Sequence, residues 1–243
     1  MFKEKLAVIV PTKDRPDELS RFLQSLILQE VKPAQVIIVD GGNRGLSGVL
    51  GSFSGFTMDY IKQNPASLTV QRNAGIRMLK REITLAAFFD DDIVLKKDSL
   101  KKMMEFWDGA REDTGGTCFN NLSQSYRRPD FFERLFVVNA DTPGRILASG
   151  FQSIPCAVER TMQVDWLIGC AMVFRAEVFK EFLFDERFSG YARYEDVDFS
   201  YRVGKKYRLF VVAEAMVEHL LRLERIEDSF ALGRMEVINR LYF

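Results

Sequence analysis

The sequence contains few of the residues that stabilise a secreted or zinc-binding domain. Only three cysteines, Cys118, Cys156 and Cys170, occur in 243 residues, and an odd number at wide spacing argues against a disulfide framework or a zinc ribbon. No apolar run approaches the roughly 18 residues of a membrane-spanning helix, and the apolar run after Lys5 is too short for a signal peptide. We therefore expect a soluble protein of a reducing, cytoplasmic compartment without a transmembrane segment.

The chain also lacks an excess of charge of either sign. Thirty-four Lys and Arg residues balance thirty-four Asp and Glu residues, so no broad positive field predicts nucleic acid as a partner. His219 is the only histidine, and no Ser/His/Asp or Cys/His constellation that would supply a nucleophile is evident. The apolar content of 47% is that of a globular domain with a substantial core.

What the sequence does contain is a regular alternation of apolar strands and amphipathic helices. In the first half, strands are predicted at 6–11, 35–40, 57–63 and 84–89, and helices at 16–29 and 67–82. The second half is less regular, with strands expected at 115–121, 167–175, 207–212 and 215–218, a short helix at 176–182 and a final helix from about 229. Continuous apolar strands separated by helices predict a parallel sheet covered on both faces, which binds ligands at the carboxyl ends of its strands.

Three adjacent acids, Asp90, Asp91 and Asp92, follow one of these buried strands in "LAAFFDDDIVL". Carboxylates so close repel one another, so the triplet predicts a positive partner. In an extended segment Asp90 and Asp92 would face one side and Asp91 the other. The triplet could instead cap the helix that follows, but Asp98 or Ser99 is already placed to do so. We therefore predict a site for Mg²⁺ or Mn²⁺ and a nucleoside diphosphate.

A second acidic cluster, "YEDVDF", contains Glu195, Asp196 and Asp198 and begins a predicted helix. Acids at this position favour the helix dipole, which is one interpretation. A carboxylate that acts as a general base is the other. His219 is either an ordinary core or surface side chain or, if the fold brings it to the first cluster, a third metal ligand.

The order of six motifs resembles that of the family 2 glycosyltransferases. They are "LAVIVPTKDRPDELSRFLQSL", "VIIVDGGN", "QRNAGI", "FFDDDIVL", "FDERFSGYARYEDVDFSYRV" and "VEHL", and the resemblance extends from residue 6 to about 243. It implies the GT-A fold, with a mostly parallel central sheet flanked by helices. It also implies a single domain over 1–243, in which 1–120 bind the nucleotide and 121–243 bind the acceptor and carry out catalysis.

The activity that the resemblance implies is an inverting, metal-dependent sugar transfer of the hexosyltransferase type. The donor would be a UDP-, GDP- or dTDP-sugar, the cofactor Mn²⁺ or Mg²⁺, and the acceptor a glycan or lipid-linked hydroxyl. Polysaccharide or glycoconjugate synthesis would be the setting, with peripheral contact at the cytoplasmic face of a membrane as a further expectation.

The resemblance assigns roles to individual residues as well. Asp196 matches the catalytic base, Glu195 a residue that holds the acceptor, and Asp92 and His219 the metal ligands. Asp40 would accept a hydrogen bond from the base of the nucleotide. The other expected substrate-binding residues are Pro11, Thr12, Arg15, Arg72, Asn73, Asp90, Asp91, Trp166 and Gly169. Trp166 could equally belong to the core.

One motif departs from the family's usual pattern. Gly41 and Asn43 stand where the family commonly has an acid and a serine. Asp40 is retained, so the expected contact with the base remains, but the local turn is expected to differ.

Three other classes of function compete with a glycosyltransferase. "DDDIV" also fits the nucleophile motif of haloacid-dehalogenase-type phosphatases, but it follows the fourth strand instead of the first. A sugar-phosphate nucleotidyltransferase would open with a glycine-rich basic loop after its first strand, and "PTKDRP" contains no glycine. A non-catalytic sugar-nucleotide binder of the same fold would not need Asp196.

Overall fold

The structure is a computed structural model that describes residues 2–53, 55–220 and 229–243. Its strands are β1 (Leu6–Thr12), β2 (Gln35–Asp40), β3 (Met58–Lys62), β4 (Leu85–Phe89), β5 (Ile93–Leu95), β6 (Thr114–Asn121), β7 (Met162–Val164), β8 (Ala171–Arg175) and β9 (Arg208–His219). Its α-helices are α1 (Pro16–Ile27), α2 (Ser47–Leu50), α3 (Leu68–Arg77), α4 (Ser99–Asp108), α5 (Phe131–Leu135), α6 (Glu195–Gly204) and α7 (Ser229–Tyr242), and a 3-10 helix covers Ala176–Lys180. In the described ranges, no helix is long and apolar enough to cross a membrane.

The strands form one sheet in the order β3-β2-β1-β4-β8-β6-β9-β5, and β7 pairs with β9. The first four strands of the chain are mutually parallel, as the alternation with helices predicts. β8 runs against both β4 and β6, and β9 is parallel to β6. Because β5 and β7 run against β9, six of the nine described strands point the same way, and strands from both halves of the chain share the sheet.

Apolar side chains cover both faces of the sheet. On one face α1 contributes Leu19, Phe22, Leu23 and Leu26, which are fully buried and recur at the spacing of a helical stripe. The other face carries a second core that includes Ala74 of α3. Every residue of β1 and β2 is buried, so the carboxyl ends of these strands are held rigidly where a ligand site is expected.

Three local predictions need correction. The helix expected over 67–82 ends at Arg77. The strands expected at 207–212 and 215–218 form one strand, β9. It pairs with β6 on both sides of the segment between the two expected strands, and the pairing register shifts at that segment. The strand expected from 167 begins only at Ala171.

The expected capping of α4 is also wrong in its detail. Asp98 occupies the N-cap position, but its φ of 61° is left-handed and its side chain makes no capping hydrogen bond. Ser99 Oγ instead donates to the carbonyl of Met216, at 2.7 Å. The triplet of acids is not used as a cap either, because all three make the contacts described next.

Candidate functional site

The first acidic cluster lies at the carboxyl end of β4, in a tight turn instead of an extended segment. The amide of Ile93 donates to the carbonyl of Asp90 across this turn, at 3.3 Å. Asp91 is buried, and its carboxylate accepts hydrogen bonds from Thr12 Oγ1 at 2.6 Å and Arg15 Nη1 at 3.0 Å. Burial raises the pKa of Asp91 to about 6, against the lowering effect of these two donors. Asp91 does not join the group that Asp90 and Asp92 form with His219, although Arg15 links it to Asp92.

Asp90 and Asp92 lie with His219, and one ligand atom from each residue falls within 4.8 Å of the others. The pairing of β5 with β9 places Ile93 opposite His219. The amide of Leu220 then donates to the carbonyl of Asp92, at 2.9 Å. The sheet register therefore brings the single histidine of the chain to the acidic turn.

This set of side chains fits a divalent cation. His219 Nε2 lies 2.9 Å from Asp92 Oδ1, yet Oδ1 is buried without a properly oriented hydrogen-bond donor among the described residues. Burial opposes ionisation of Asp92, but His219 and Arg15 outweigh it and hold the pKa of this carboxyl below its usual value. Two carboxylates and an imidazole meet here, and one carboxylate oxygen, Asp92 Oδ1, is unsatisfied among the described residues. Such a set of oxygen and nitrogen ligands suits Mn²⁺ or Mg²⁺.

Two arginines provide the positive charge that the triplet predicts. Arg15 Nη1 lies 3.1 Å from Asp92 Oδ2 as well as contacting Asp91. The fully buried Arg72 of α3 places Nη2 at 3.4 Å from Asp90 Oδ1. Neither arginine is close to the acids in sequence, so the neutralisation of the cluster depends on the sheet and on α3.

Arg72 also connects the first acidic cluster to the second. Its Nη1 donates to Glu195 Oε1 at 2.5 Å, and its Nη2 donates to the carbonyl of Gly169 at 2.8 Å. The amide of Gly169 in turn donates to Asp196 Oδ2 at 2.8 Å. Only glycine fits here, because a Cβ at Gly169 would lie 2.8 Å from Asp196 Cβ and 3.0 Å from Oδ2. The candidate metal ligands and the expected base thus belong to one network.

The two acids of this second cluster have different surroundings. Glu195 is 5% exposed, and burial raises its pKa to about 8 although Arg72 opposes the shift. Asp196 is less deeply buried as a residue than Glu195. Its Oδ1 accepts the amide of Val197 at 2.9 Å, and burial raises its pKa against the hydrogen bond from Gly169. Asp198 makes an ion pair with Arg202 instead, at 2.7 Å.

Asp40 ends β2 and is completely buried. It accepts hydrogen bonds from the amide of Gly42 at 2.7 Å, Tyr60 Oη at 2.9 Å and Lys62 Nζ at 2.8 Å. One of the roughly four acceptor positions of the carboxylate remains, but Asp40 has no exposed surface, so a nucleotide base reaches it only when a neighbouring side chain such as Tyr60 or Lys62 moves aside. Neither of these β3 residues was predicted for the site, since nothing in their strand pattern distinguishes them.

The unusual "DGGN" turn has a packing cause. Asp14 Oδ1 accepts hydrogen bonds from the amides of Asn43 at 2.6 Å and Arg44 at 2.8 Å. A Cβ at Gly42 would lie 2.4 Å from the nitrogen of Asp14, and one at Gly41 would lie 2.7 Å from the Cβ of Ala66. The loops that follow β1 and β2 are therefore locked together beside Asp40.

The remaining predicted residues form the frame of the site. Pro11 and Thr12 end β1, beside Asp40 in the register of β2. Asn73 is buried with both amide protons satisfied, by the carbonyl of Phe184 and by Glu186 Oε1. Trp166 is 4% exposed and donates to the carbonyl of Ser153, which is the core arrangement considered above.

Comparison with known proteins identifies the family. The profile of glycosyl transferase family 2 matches residues 7–183. The chain belongs to this family. It is also similar to the glycosyltransferase GlyA of Streptococcus pneumoniae serotype 4, with 30% identity over 140 residues that cover 51% of this chain and 20% of GlyA.

Solved structures confirm the predicted GT-A fold. GalNAc-T7 with UDP, GalNAc and Mn²⁺ has a TM-score of 0.68 at 14% identity, covering 90% of this chain and 44% of the other. The mannosyltransferase PcManGT from Pyrobaculum calidifontis, in complex with GDP-Man and Mn²⁺, has a TM-score of 0.63 at 13% identity, covering 99% and 63%. The chain spans a fifth of the length of GlyA and less than two thirds of either solved chain.

Proposed function

We propose that this protein is an inverting glycosyltransferase that moves a sugar from a nucleoside-diphosphate sugar to an acceptor hydroxyl with the aid of a divalent metal. The observation that carries the proposal is the connection of two acidic clusters through Arg72. One cluster has the donor set for a metal, and the other contains Asp196, a carboxylate that two backbone amides orient. The fold shared with proteins that contain UDP or GDP-Man together with Mn²⁺ supports it.

Asp90, Asp92 and His219 would hold the metal. A bound Mn²⁺ or Mg²⁺ would supply electrostatic stabilisation of the negative charge on the departing diphosphate. Arg15 and Arg72 add positive charge beside the same carboxylates. Because this stabilisation acts where charge develops, it lowers the barrier more than it strengthens the binding of the donor.

An inverting sugar transfer takes place in a single displacement. It therefore needs one general base for the acceptor hydroxyl and no nucleophile from the protein. Asp196 would accept the proton of the acceptor hydroxyl. The amides of Gly169 and Val197 orient its carboxylate, and the raised pKa makes it a stronger base than an exposed aspartate. Glu195 would act next to it, on the acceptor side, while Arg72 holds its Oε1.

The nucleotide would lie at the ends of β1 and β2, with its base near Asp40 and its phosphates near Thr12 and Arg15. We propose a UDP-, GDP- or dTDP-sugar as donor and a glycan or lipid-linked acceptor, with residues 1–120 and 121–243 as the nucleotide and acceptor halves of one domain. A cytoplasmic setting in polysaccharide or glycoconjugate synthesis fits the three free cysteines.

The test is titration calorimetry of UDP, GDP and dTDP with Mn²⁺ and with EDTA, combined with an assay for nucleoside diphosphate released from the corresponding sugar nucleotides. We expect one nucleotide to bind only in the presence of metal and its sugar nucleotide to be turned over. Release of pyrophosphate from a nucleoside triphosphate and a sugar phosphate would instead indicate a nucleotidyltransferase. Binding without any turnover would indicate a sugar-nucleotide binder.

A further inference from the structure

Asp40 is a fully buried carboxylate, and two of its hydrogen-bond partners come from the neighbouring strand β3. Lys62 Nζ and Tyr60 Oη lie 2.8 Å and 2.9 Å from the same oxygen, Oδ2. A carboxylate removed from water must be paired and hydrogen-bonded, because an unpaired buried charge is costly. The ammonium of Lys62 therefore supplies the positive charge that Asp40 needs.

The sheet register fixes this arrangement, but the two β3 side chains lie at its edge. Lys62 is directly opposite Asp40 in the pairing of β3 with β2, and Tyr60, two residues earlier, projects from the same face of β3. β3 is the last strand at its end of the described sheet. The Lys62 side chain is 38% exposed and Tyr60 is 46% exposed. Because a lysine ammonium sits on a flexible four-carbon stem, Lys62 can leave Asp40 without any change in the sheet.

Asp40 and Lys62 present an anionic acceptor and a cationic donor side by side. The hydrogen bond to Asp40 raises the pKa of Lys62, so its ammonium stays charged at neutral pH. Nζ also donates to the carbonyl of Gly42 in the loop after β2, and an ammonium with three N–H donors keeps one more for a ligand. An imide edge, in which N–H stands next to C=O, is complementary to this pair. Uracil, thymine and guanine have such an edge, whereas cytosine and adenine have an amine beside a ring nitrogen that accepts.

We propose that Lys62 determines which nucleotide base is accepted: it yields its place on Asp40 to the imino N–H of the base and donates to the adjacent carbonyl oxygen. This inference rests on the proposed function, in which the base lies near Asp40. The exchange replaces one donor on Asp40 by another, and Tyr60 keeps its hydrogen bond to Oδ2, so the buried carboxylate stays satisfied. Cytosine or adenine in the same position would set an amine against the ammonium and a nitrogen lone pair against the carboxylate. Both contacts are repulsive, and such repulsion is an effective source of specificity.

The experiment is titration calorimetry with Mn²⁺ and UDP, dTDP, GDP, CDP and ADP as probes. We expect the wild type to bind one of UDP, dTDP and GDP more tightly than CDP and ADP. Lys62→Met keeps most of the stem but removes the ammonium. Its ratio of affinities for the preferred nucleotide and for CDP, or for ADP if guanine is preferred, should fall by about tenfold, the order of one hydrogen bond from a charged group. Lys80→Met is the matched control, since Lys80 is 41% exposed and pairs with Asp59 of the same strand at 3.9 Å; its ratio should equal that of the wild type.

A second measurement needs no variant. The wild type is titrated with analogues in which sulfur, a weak acceptor, replaces a carbonyl oxygen of the preferred base: 2-thio- and 4-thio-UDP, 2-thio- and 4-thio-dTDP, or 6-thio-GDP. We expect one analogue to bind about tenfold more weakly than its parent nucleotide, because the hydrogen bond from Lys62 is lost. In Lys62→Met the same analogue and its parent should bind alike.

An unchanged ratio in Lys62→Met would overturn the inference, and so would tighter binding of every nucleotide, since Lys62 would then only obstruct Asp40. Sulfur analogues that all bind like their parents would overturn it too, as would a wild type that binds all five nucleotides equally or prefers CDP or ADP. A wild type that binds no nucleoside diphosphate with Mn²⁺ would instead refute the proposed function itself. Thermal unfolding verifies that each variant is folded, and the sulfur analogues decide the question if Lys62→Met is not.

Discussion

Replacing Asp196 by Asn tests the assignment of the general base most directly. The carboxylate accepts the amides of Gly169 and Val197 with different oxygens, at 2.8 Å and 2.9 Å. An Asn side chain has only one oxygen, so its NH₂ group must face one of these two N–H donors. The variant loses one hydrogen bond to a charged group, and we expect its free energy of unfolding to fall by about 1.5–3 kcal/mol.

The effect on turnover should be much larger than the effect on stability. The amide cannot accept a proton, and loss of a positioned general base lowers turnover by about 10²–10⁴-fold. Affinity for the nucleoside diphosphate should stay within about twofold of the wild type, because Asp196 is not one of the three side chains that would hold the metal.

Turnover is measured as nucleoside diphosphate released from the sugar nucleotide, and stability by urea unfolding. Asp198→Asn is the matched control, since it lies in the same helical turn and pairs with Arg202. It should lower stability but leave turnover unchanged. Full turnover in Asp196→Asn would exclude Asp196 as the base. An equal fall of turnover in Asp198→Asn would attribute the effect to damage to α6.

Four further predictions concern the metal, the base of the nucleotide and the frame of the site. Asp92→Ala should abolish the stabilisation by UDP, GDP or dTDP that depends on Mn²⁺, as seen in thermal shift, and equal stabilisation in EDTA would contradict a metal site. With cobalt in place of Mn²⁺, the spectrum should report a nitrogen ligand that is lost in His219→Ala, and an unchanged spectrum would exclude His219. Asp40→Ala should weaken nucleotide binding by about 1.5–3 kcal/mol, and unchanged affinity in calorimetry would show that Asp40 serves only its protein partners. Gly169→Ala should lower turnover by up to about 10²-fold, since its Cβ displaces the base. The control is Gly233→Ala, whose Cβ meets nothing within 4 Å and which should be neutral. Equal turnover in both variants would refute the steric argument.

Much of the fold follows from local patterns in the sequence. The four apolar residues of α1 recur with the helical period, and β1, β2 and β4 are mostly apolar runs, so both kinds of element can be recognised without knowing their partners. Boundaries were less accurate. β9 was divided in two because its middle pairs through an irregular register that no local period reveals.

The sequence by itself also determined which residue types could carry the chemistry. Clustered carboxylates at the ends of predicted elements are costly unless a cation neutralises them or a proton binds to them. This cost makes Asp90, Asp92 and the "ED" pair recognisable. The alternation expected for an extended segment does not apply to Asp91, because the three acids lie in a turn and Thr12 and Arg15 bind its carboxylate.

The connections between these residues arise from the tertiary fold. Arg72 meets Glu195 across 123 positions of the chain, His219 reaches Asp92 through the register of β5 on β9, and Asp40 is enclosed by two side chains of β3. Each of these contacts depends on strand order and register, which are set by the packing of the whole sheet and not by the period of any one segment. A sequence can therefore name the charged groups of such a site, but the folded sheet determines which charge faces which.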